Sequence, residues 1–203
     1  MKGKGCLVSG IFLAAIAAVI LWGVSKYNSF VPMQENVKAQ WSNVENTYQK
    51  RADLIPNLVR TVQGAANFEK STLTDVINAR AKATSNQINI DDVDDLTPEN
   101  IAKFQSAQNE LSGALSRLLV TVEQYPTLRA TENFQSFQAE LSSIEAEINY
   151  ERRKYNEAAK DFNSVINKVP NNIIAGIGNF KEKGYFEADA GAEKAPTVDF
   201  SGQ

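Results

Sequence analysis

Histidine is absent from this chain, and cysteine occurs once, as Cys6. Those two gaps remove Ser/His and Cys/His nucleophile pairs, disulfide scaffolding and Cys/His zinc ligation together. They also exclude the di-metal carboxylate centre of helical bundles, which needs Glu-x-x-His pairs. An excess of one charge is missing too: 21 basic and 24 acidic residues are mixed along the chain, for a net charge of −3. No basic stripe suits nucleic acid, and no polyacidic tail suits a basic partner. Proline (6) and glycine (11) are scarce and gather near the ends of periodic segments. Strand-type alternation is rare. What remains is rich in Ala, Leu, Glu, Gln, Asn and Lys, the composition of long helices. The 203 residues suffice for one domain with its own core, plus appendages.

One long hydrophobic run stands out. After a short N-terminal segment, residues 1–5 with Lys2 and Lys4, Cys6 to Val24 (CLVSGIFLAAIAAVILWGV) carries no charge. As a helix it spans about 28 Å, close to the roughly 30 Å of a bilayer's hydrocarbon core. Trp22 and Tyr27 lie at its far end, where amphipathic rings favour the interface. A cleaved signal peptide fits less well, because the run exceeds the usual apolar region and no small-x-small site follows it. A lipoprotein reading fails because Cys6 precedes the run. The bilayer is thus the first expected partner, bound through Cys6–Val24, in a single-pass protein of the cell (inner) membrane. Lys2 and Lys4 against Lys26 and Lys38 tilt only slightly toward a cytoplasmic N-terminus.

Tyr27 to Gln34 reads as a short connector broken at Pro32, with the first bundle helix running from about Met33 to Asn67. A shorter helix follows through Leu73, Val76, Ile77 and Ala81 to about Ser85. Asn86 to Leu96 is a loop. Its Asp91, Asp92, Asp94 and Asp95 lack the alternation, central Gly and distal Glu of a calcium loop, so they read as solvated. Thr97-Pro98-Glu99 is a helix start. From it Ile101, Phe104, Gln108, Leu111, Leu115, Leu118, Val122 and Tyr125 form a heptad seam. Thr131-Glu132 opens what reads as the longest helix, with Phe134, Phe137, Leu141, Ile144, Ile148, Glu151, Tyr155, Ala158, Phe162, Val165 and Val169 as its seam up to Pro170. Residues 173–186 are apolar and glycine-punctuated, a segment expected to pack back on the bundle. The tail, 188–203, is small and polar and reads as disordered. Seams of this width are buried only against other helices. The expected fold is all-α: a transmembrane helix, then an elongated antiparallel up-and-down bundle, coiled-coil-like, over 25–187.

Gln40 to Phe68 breaks the rules the other helices keep. Its stripe runs through Trp41, Val44, Tyr48, Ile55, Leu58, Val62 and Ala65, but Arg51 takes a seam position and Pro56 sits in the helix interior, where proline costs roughly 3 kcal/mol. Arg51 and Glu151 are each the only charge in their seams. A buried polar pair fixes register, so Arg51 is expected to meet a carboxylate of the longest helix, Glu151 or Glu147; the alternative is that both charges snorkel at the bundle edge. Asn57 is placed to satisfy a carbonyl freed by a kink at Pro56. Trp41, Tyr48, Tyr155 and Phe162 read as core aromatics rather than a ligand site.

The segment ENTYQKRADLIPNLVRTVQG resembles the signature of LemA proteins: an aromatic, a basic pair, then Asp53-Leu54-Ile55-Pro56-Asn57-Leu58-Val59. Glu151-Arg152-Arg153-Lys154-Tyr155-Asn156, Val169-Pro170-Asn171-Asn172 and Gly184-Tyr185-Phe186-Glu187 follow in the family's order, so the likeness covers about Tyr27 to Glu187. One departure is Phe68-Glu69, where many relatives have His before the Glu; no imidazole role carries over. The resemblance implies a helical-bundle domain behind one membrane helix. It also implies an N-terminus outside and a cytoplasmic domain, opposite to the charge count, so both orientations stand.

Acid–base work by Glu45, Asp53, Glu69, Glu147 or Glu151 is the remaining catalytic chemistry, and a solvated face explains those residues better. No catalytic, cofactor or metal site is expected. The functional reading is a non-enzymatic, membrane-anchored scaffold that self-associates as a homo-oligomer. The alternative is an adaptor presenting the bundle to an envelope protein. The interaction candidates are Trp41, Arg51, Asp53, Pro56, Asn57, Glu151, Tyr155 and Asn156.

Overall fold

The computed structural model describes residues 3–64, 68–85 and 93–188. Its dominant element is α1, a single helix over Gly3–Gln63. The connector expected at Tyr27–Gln34 does not exist: helix continues through Pro32 and again through Pro56. α2 (Lys70–Ser85) and α3 (Pro98–Val122) match their sequence signals, and the Thr97 hydroxyl caps α3 by accepting from the Asn100 N–H at 3.2 Å. A single turn, α4 (Pro126–Arg129), leads to α5 (Glu132–Ile166). At about 52 Å, α5 is shorter than expected and ends before Pro170. α1, not α5, is the longest helix. α6 (Asn171–Ile177) and an extended strap, residues 180–188, then fold back on the bundle. No strand occurs among the described residues.

α1, α2, α3 and α5 run up and down. Their backbones approach most closely in two pairs, α1 with α5 and α2 with α3. The seams supply the core as expected, with Tyr125, Glu151 and Val165 only partly covered and Val169 exposed. Two apolar clusters result. The proximal one, near the apolar half of α1, is aromatic: Phe30, Trp41, Tyr48, Phe104, Tyr155, Phe162 and Phe186. The distal one is mostly aliphatic, from Ile55, Leu58, Val62, Val76, Leu111, Leu118 and Leu141.

Proline inside α1 leaves a carbonyl without its helical donor, and for Pro56 that carbonyl is Ala52's. The sequence pointed to Asn57 as its partner; the structure uses α2 instead. The Arg80 Nε–H donates to the Ala52 oxygen at 2.8 Å, whereas Asn57 is exposed and its side-chain oxygen accepts from Arg60. A side chain from the next helix thus replaces the missing backbone donor, which lets α1 continue.

The acidic loop also differs from expectation. Asp91 and Asp92 lie outside the described residues, and Asp95 is exposed. Asp94 is not merely solvated: it accepts from the Nζ of Lys183 at 2.8 Å, and that lysine side chain is fully buried.

Candidate functional site

Arg51 sits between the two apolar clusters, and its side chain is 2% exposed. Nη1 donates to Ser112 Oγ at 2.7 Å and to Glu145 Oε1 at 2.9 Å; Nη2 donates to Gln108 Oε1 at 2.7 Å and to the Gln108 carbonyl at 3.3 Å. The guanidinium also lies over the Tyr48 ring, 5.0 Å from its centroid. The planar fork of a guanidinium answers several acceptors at once. Two of the three polar seam residues of the sequence, Arg51 and Gln108, therefore meet in one polar layer. The expected partner was wrong in detail. The carboxylate does come from α5, but it is Glu145; Glu147 pairs instead with Lys50 at 2.7 Å, and Glu151 Oε2 is buried without a hydrogen bond.

That layer floors an open groove of about 700 Å³ between α3 and α5. Asn109, Ser112 and Ser116 line one wall and Gln138, Ser142 and Asn149 the other, above Leu115, Leu141 and Ile148. The groove exists because α3 and α5 belong to different close-packed pairs.

At the proximal end the same cleft is filled by the strap. Three side-chain amides each grip one backbone unit of it from both sides. The Asn163 amide donates to the Lys183 carbonyl at 2.8 Å and accepts from the Lys183 N–H at 2.8 Å. Asn156 does the same for Phe186, at 2.8 and 2.9 Å, and Gln105 for Glu187, at 2.9 and 3.0 Å. Arg152 adds a bond to the Glu187 carbonyl at 2.7 Å, and the Tyr155 hydroxyl donates to the Gly184 carbonyl at 3.1 Å. Burial, and secondarily Tyr185, holds the Tyr155 phenol above its ordinary range, which keeps it a donor. Gly184 is required by space: a Cβ there would lie 2.7 Å from Pro98 Cα.

The other candidates separate into two groups. Trp41 packs against Phe104 (5.1 Å between ring centroids), Tyr155 (5.4 Å) and Phe186 (5.9 Å, stacked), so Trp41 and Tyr155 are core residues. Asn156 is a strap clamp. Asp53, Pro56 and Asn57 lie exposed on α1, with Asp53 accepting from Gln49 at 2.8 Å. The carboxylates weighed for acid–base chemistry are scattered. Glu69 accepts from Ser71 at 2.9 Å, and Glu45, on a crevice beside Thr84 and Gln108, has its carboxyl pushed up by burial. No set of three potential metal ligands converges among the described residues. Sequence reasoning missed Gln105, Asn163, Arg80, Glu145 and Lys183. Only the amides left a trace, because Asn149, Asn156 and Asn163 recur at heptad spacing.

Residues 40–200 match the model of the LemA family. The chain is 29% identical over 191 residues to magnetosome protein MamQ 1 of Paramagnetospirillum magneticum, covering 87% of this chain and 70% of that protein. It is 28% identical over 199 residues to MamQ of Magnetospirillum gryphiswaldense (91% and 73% covered), and 29% identical over 164 residues to protein LemA of Metamycoplasma hominis (81% and 70%). With a signature that places Arg51 in the core and a family match over most of its length, the chain belongs to the LemA family.

Proposed function

We propose that this protein is a non-enzymatic scaffold, anchored in the cell membrane by one pass and self-associating there. The observation that carries the reading is the unbroken α1: its N-terminal half is apolar with Ile11, Phe12, Leu13, Val19, Ile20 and Leu21 more than half exposed, and the same helix becomes the centre of the bundle. A soluble protein seldom leaves such a surface uncovered, whereas a bilayer covers it. Next to it Ile174 of α6 packs on Gly23, and Val169, Ile173 and Ile177 stand 81%, 61% and 80% exposed at four-residue spacing. A second apolar element thus lies beside the end of the apolar half of α1. Self-association has support within the span, where Gly10, Ala14 and Ala18 form a small-residue face of the kind that lets helices approach closely.

Light scattering on the full chain in detergent micelles tests the reading. A defined oligomer that falls toward monomer in Ala14→Leu supports it, and a monomer at high protein concentration overturns self-association. The adaptor reading has its own observation: Asp53, Pro56, Asn57 and Arg60 of the signature are exposed, and neither Asp53 nor Asn57 reaches another helix. If an envelope partner docks there, cross-linking in membranes captures it from Asp53, and Asp53→Lys abolishes the product.

A further inference from the structure

α6 lies beside the end of the apolar half of α1 and in step with it. The Ile174 side chain packs on Gly23, where an added Cβ would sit 3.3 Å from Ile174 Cδ1. Four residues on, at Gly178, an added Cβ would sit 2.9 Å from Cε2 of Tyr27, itself four residues past Gly23. Phe180 then closes the contact against the Tyr27 and Phe30 rings, at 5.2 and 5.4 Å between centroids. A step along this segment is thus a step along α1. Its inner side holds it at the height of Gly23 to Phe30.

The outer side has no such use. α6 commits Ala175 and Ile174 to the proximal cluster, whereas Val169, Ile173 and Ile177 belong to neither cluster and form an exposed stripe four residues apart. Residues 169–180 carry no charged side chain, and Lys168 and Lys181, both exposed, bracket them.

An uncharged apolar stretch between two cations suits the boundary between headgroups and acyl chains. Lipid chains cover the branched side chains there, while the lysines extend to the phosphates. The height agrees, because Trp22 and Tyr27 flank Gly23 and are residue types that settle at that boundary. A second copy of the chain is the other cover for such a stripe. Continuity favours lipid: around Gly23, α1 itself exposes Ile20, Leu21 and Val24, so a bilayer that covers α1 reaches the stripe as well.

We propose that α6 and its flanking turns, residues 169–180, form a second membrane contact, lying in the interface with Val169, Ile173 and Ile177 against acyl chains and Lys168 and Lys181 at lipid phosphates. The proposal rests on the reading of α1 as a membrane span. One helix alone leaves the bundle free to turn about its own axis; a second contact beside it fixes which face of the bundle is turned toward the bilayer.

Depth-dependent quenching tests this in the full chain, on a Cys6→Ser background, reconstituted in vesicles of zwitterionic and anionic phospholipid. An environment-sensitive fluorophore is placed on Ile173→Cys, on Ile177→Cys, or on Val120→Cys, an exposed apolar position of α3 at the distal end. Nitroxide lipids labelled high on the acyl chain should quench at 173 and 177 at least about threefold more than at 120, because an interfacial helix buries its apolar face about 5–10 Å deep. Quenching at 173 and 177 no stronger than at 120 overturns the proposal. Emission shifted to the blue at 173 but unquenched by lipid overturns it in favour of a second copy. Leu13→Cys, quenched by a nitroxide near the chain end, reads the span separately: if it stays quenched while 173 and 177 do not, only the α6 contact fails, and if it is unquenched both readings fall. In a variant carrying Ile173→Asp and Ile177→Asp, a label on Val169→Cys should lose its quenching while Leu13→Cys keeps its own; quenching retained at 169 refutes the stripe as the contact.

Discussion

The Arg51 layer makes a prediction about which of its bonds matters. Glu145 is the formal ion-pair partner, yet its side chain is 39% exposed against 2% for Arg51. Water therefore competes for the carboxylate, and an ion pair with one exposed member is worth about 0–1 kcal/mol. Gln108 is 5% exposed and bonds the guanidinium through its side chain and its carbonyl. A hydrogen bond between a charged group and a buried partner contributes about 1.5–3 kcal/mol. Double-mutant cycles with Arg51→Ala should thus give a coupling of about 1.5–3 kcal/mol with Gln108→Ala and about 1 kcal/mol or less with Glu145→Ala. Arg51→Ala alone should cost about 3–5 kcal/mol, since it also strands buried acceptors. Arg51 with Glu151 should be additive within about 0.5 kcal/mol. The measurement is urea unfolding of the full chain in a non-denaturing detergent, followed by helical circular dichroism. A coupling to Glu145 larger than that to Gln108 would refute the reasoning, because charge would then outweigh burial.

Three further outcomes follow from other contacts. Arg80→Met should destabilise by about 1–3 kcal/mol, by leaving the Ala52 carbonyl without a donor; Pro56→Ala, which restores the helical N–H, should stabilise that variant more than it stabilises the parent. Burial raises the Glu45 pKa, so the folded state binds its proton more readily than the unfolded state and stability falls as pH rises through the folded value. Glu45→Gln should therefore stabilise at pH 7, with the gain vanishing below about pH 4 in the same assay. Asn156→Ala removes both bonds to Phe186; faster hydrogen exchange confined to residues 180–188 is expected, and exchange unchanged there would show that ring packing alone holds the strap.

Periodicity made the helices legible. The seams from Ile101 and from Phe134 predicted the buried faces of α3 and α5, and Thr97-Pro98-Glu99 predicted a helix start to the residue, because capping is local chemistry. The prolines misled for the opposite reason. A proline's cost is set by what a helix loses in isolation, whereas Arg80 repairs Pro56 from another helix, sixteen residues past the end of the signature in sequence and close to it only in space. Glu145 lies beside the seam rather than in it, so the seam charges point to Glu151 or its neighbour Glu147 instead. The strap carried no helical or strand period at all. Its structure depends on amides from two helices, and only their placement in three dimensions joins them.

The uninterrupted α1 has a mechanical consequence. From Val24 to Gln63 it reaches about 60 Å as one continuous helix. With the span set in a bilayer, a change of tilt within the range common to membrane helices, say about 10°, displaces the distal end by about 10 Å. Were the apolar half of α1 to cross a bilayer as proposed above, such a helix would turn differences in bilayer thickness or curvature into lateral movement of its distal end, far from the lipid.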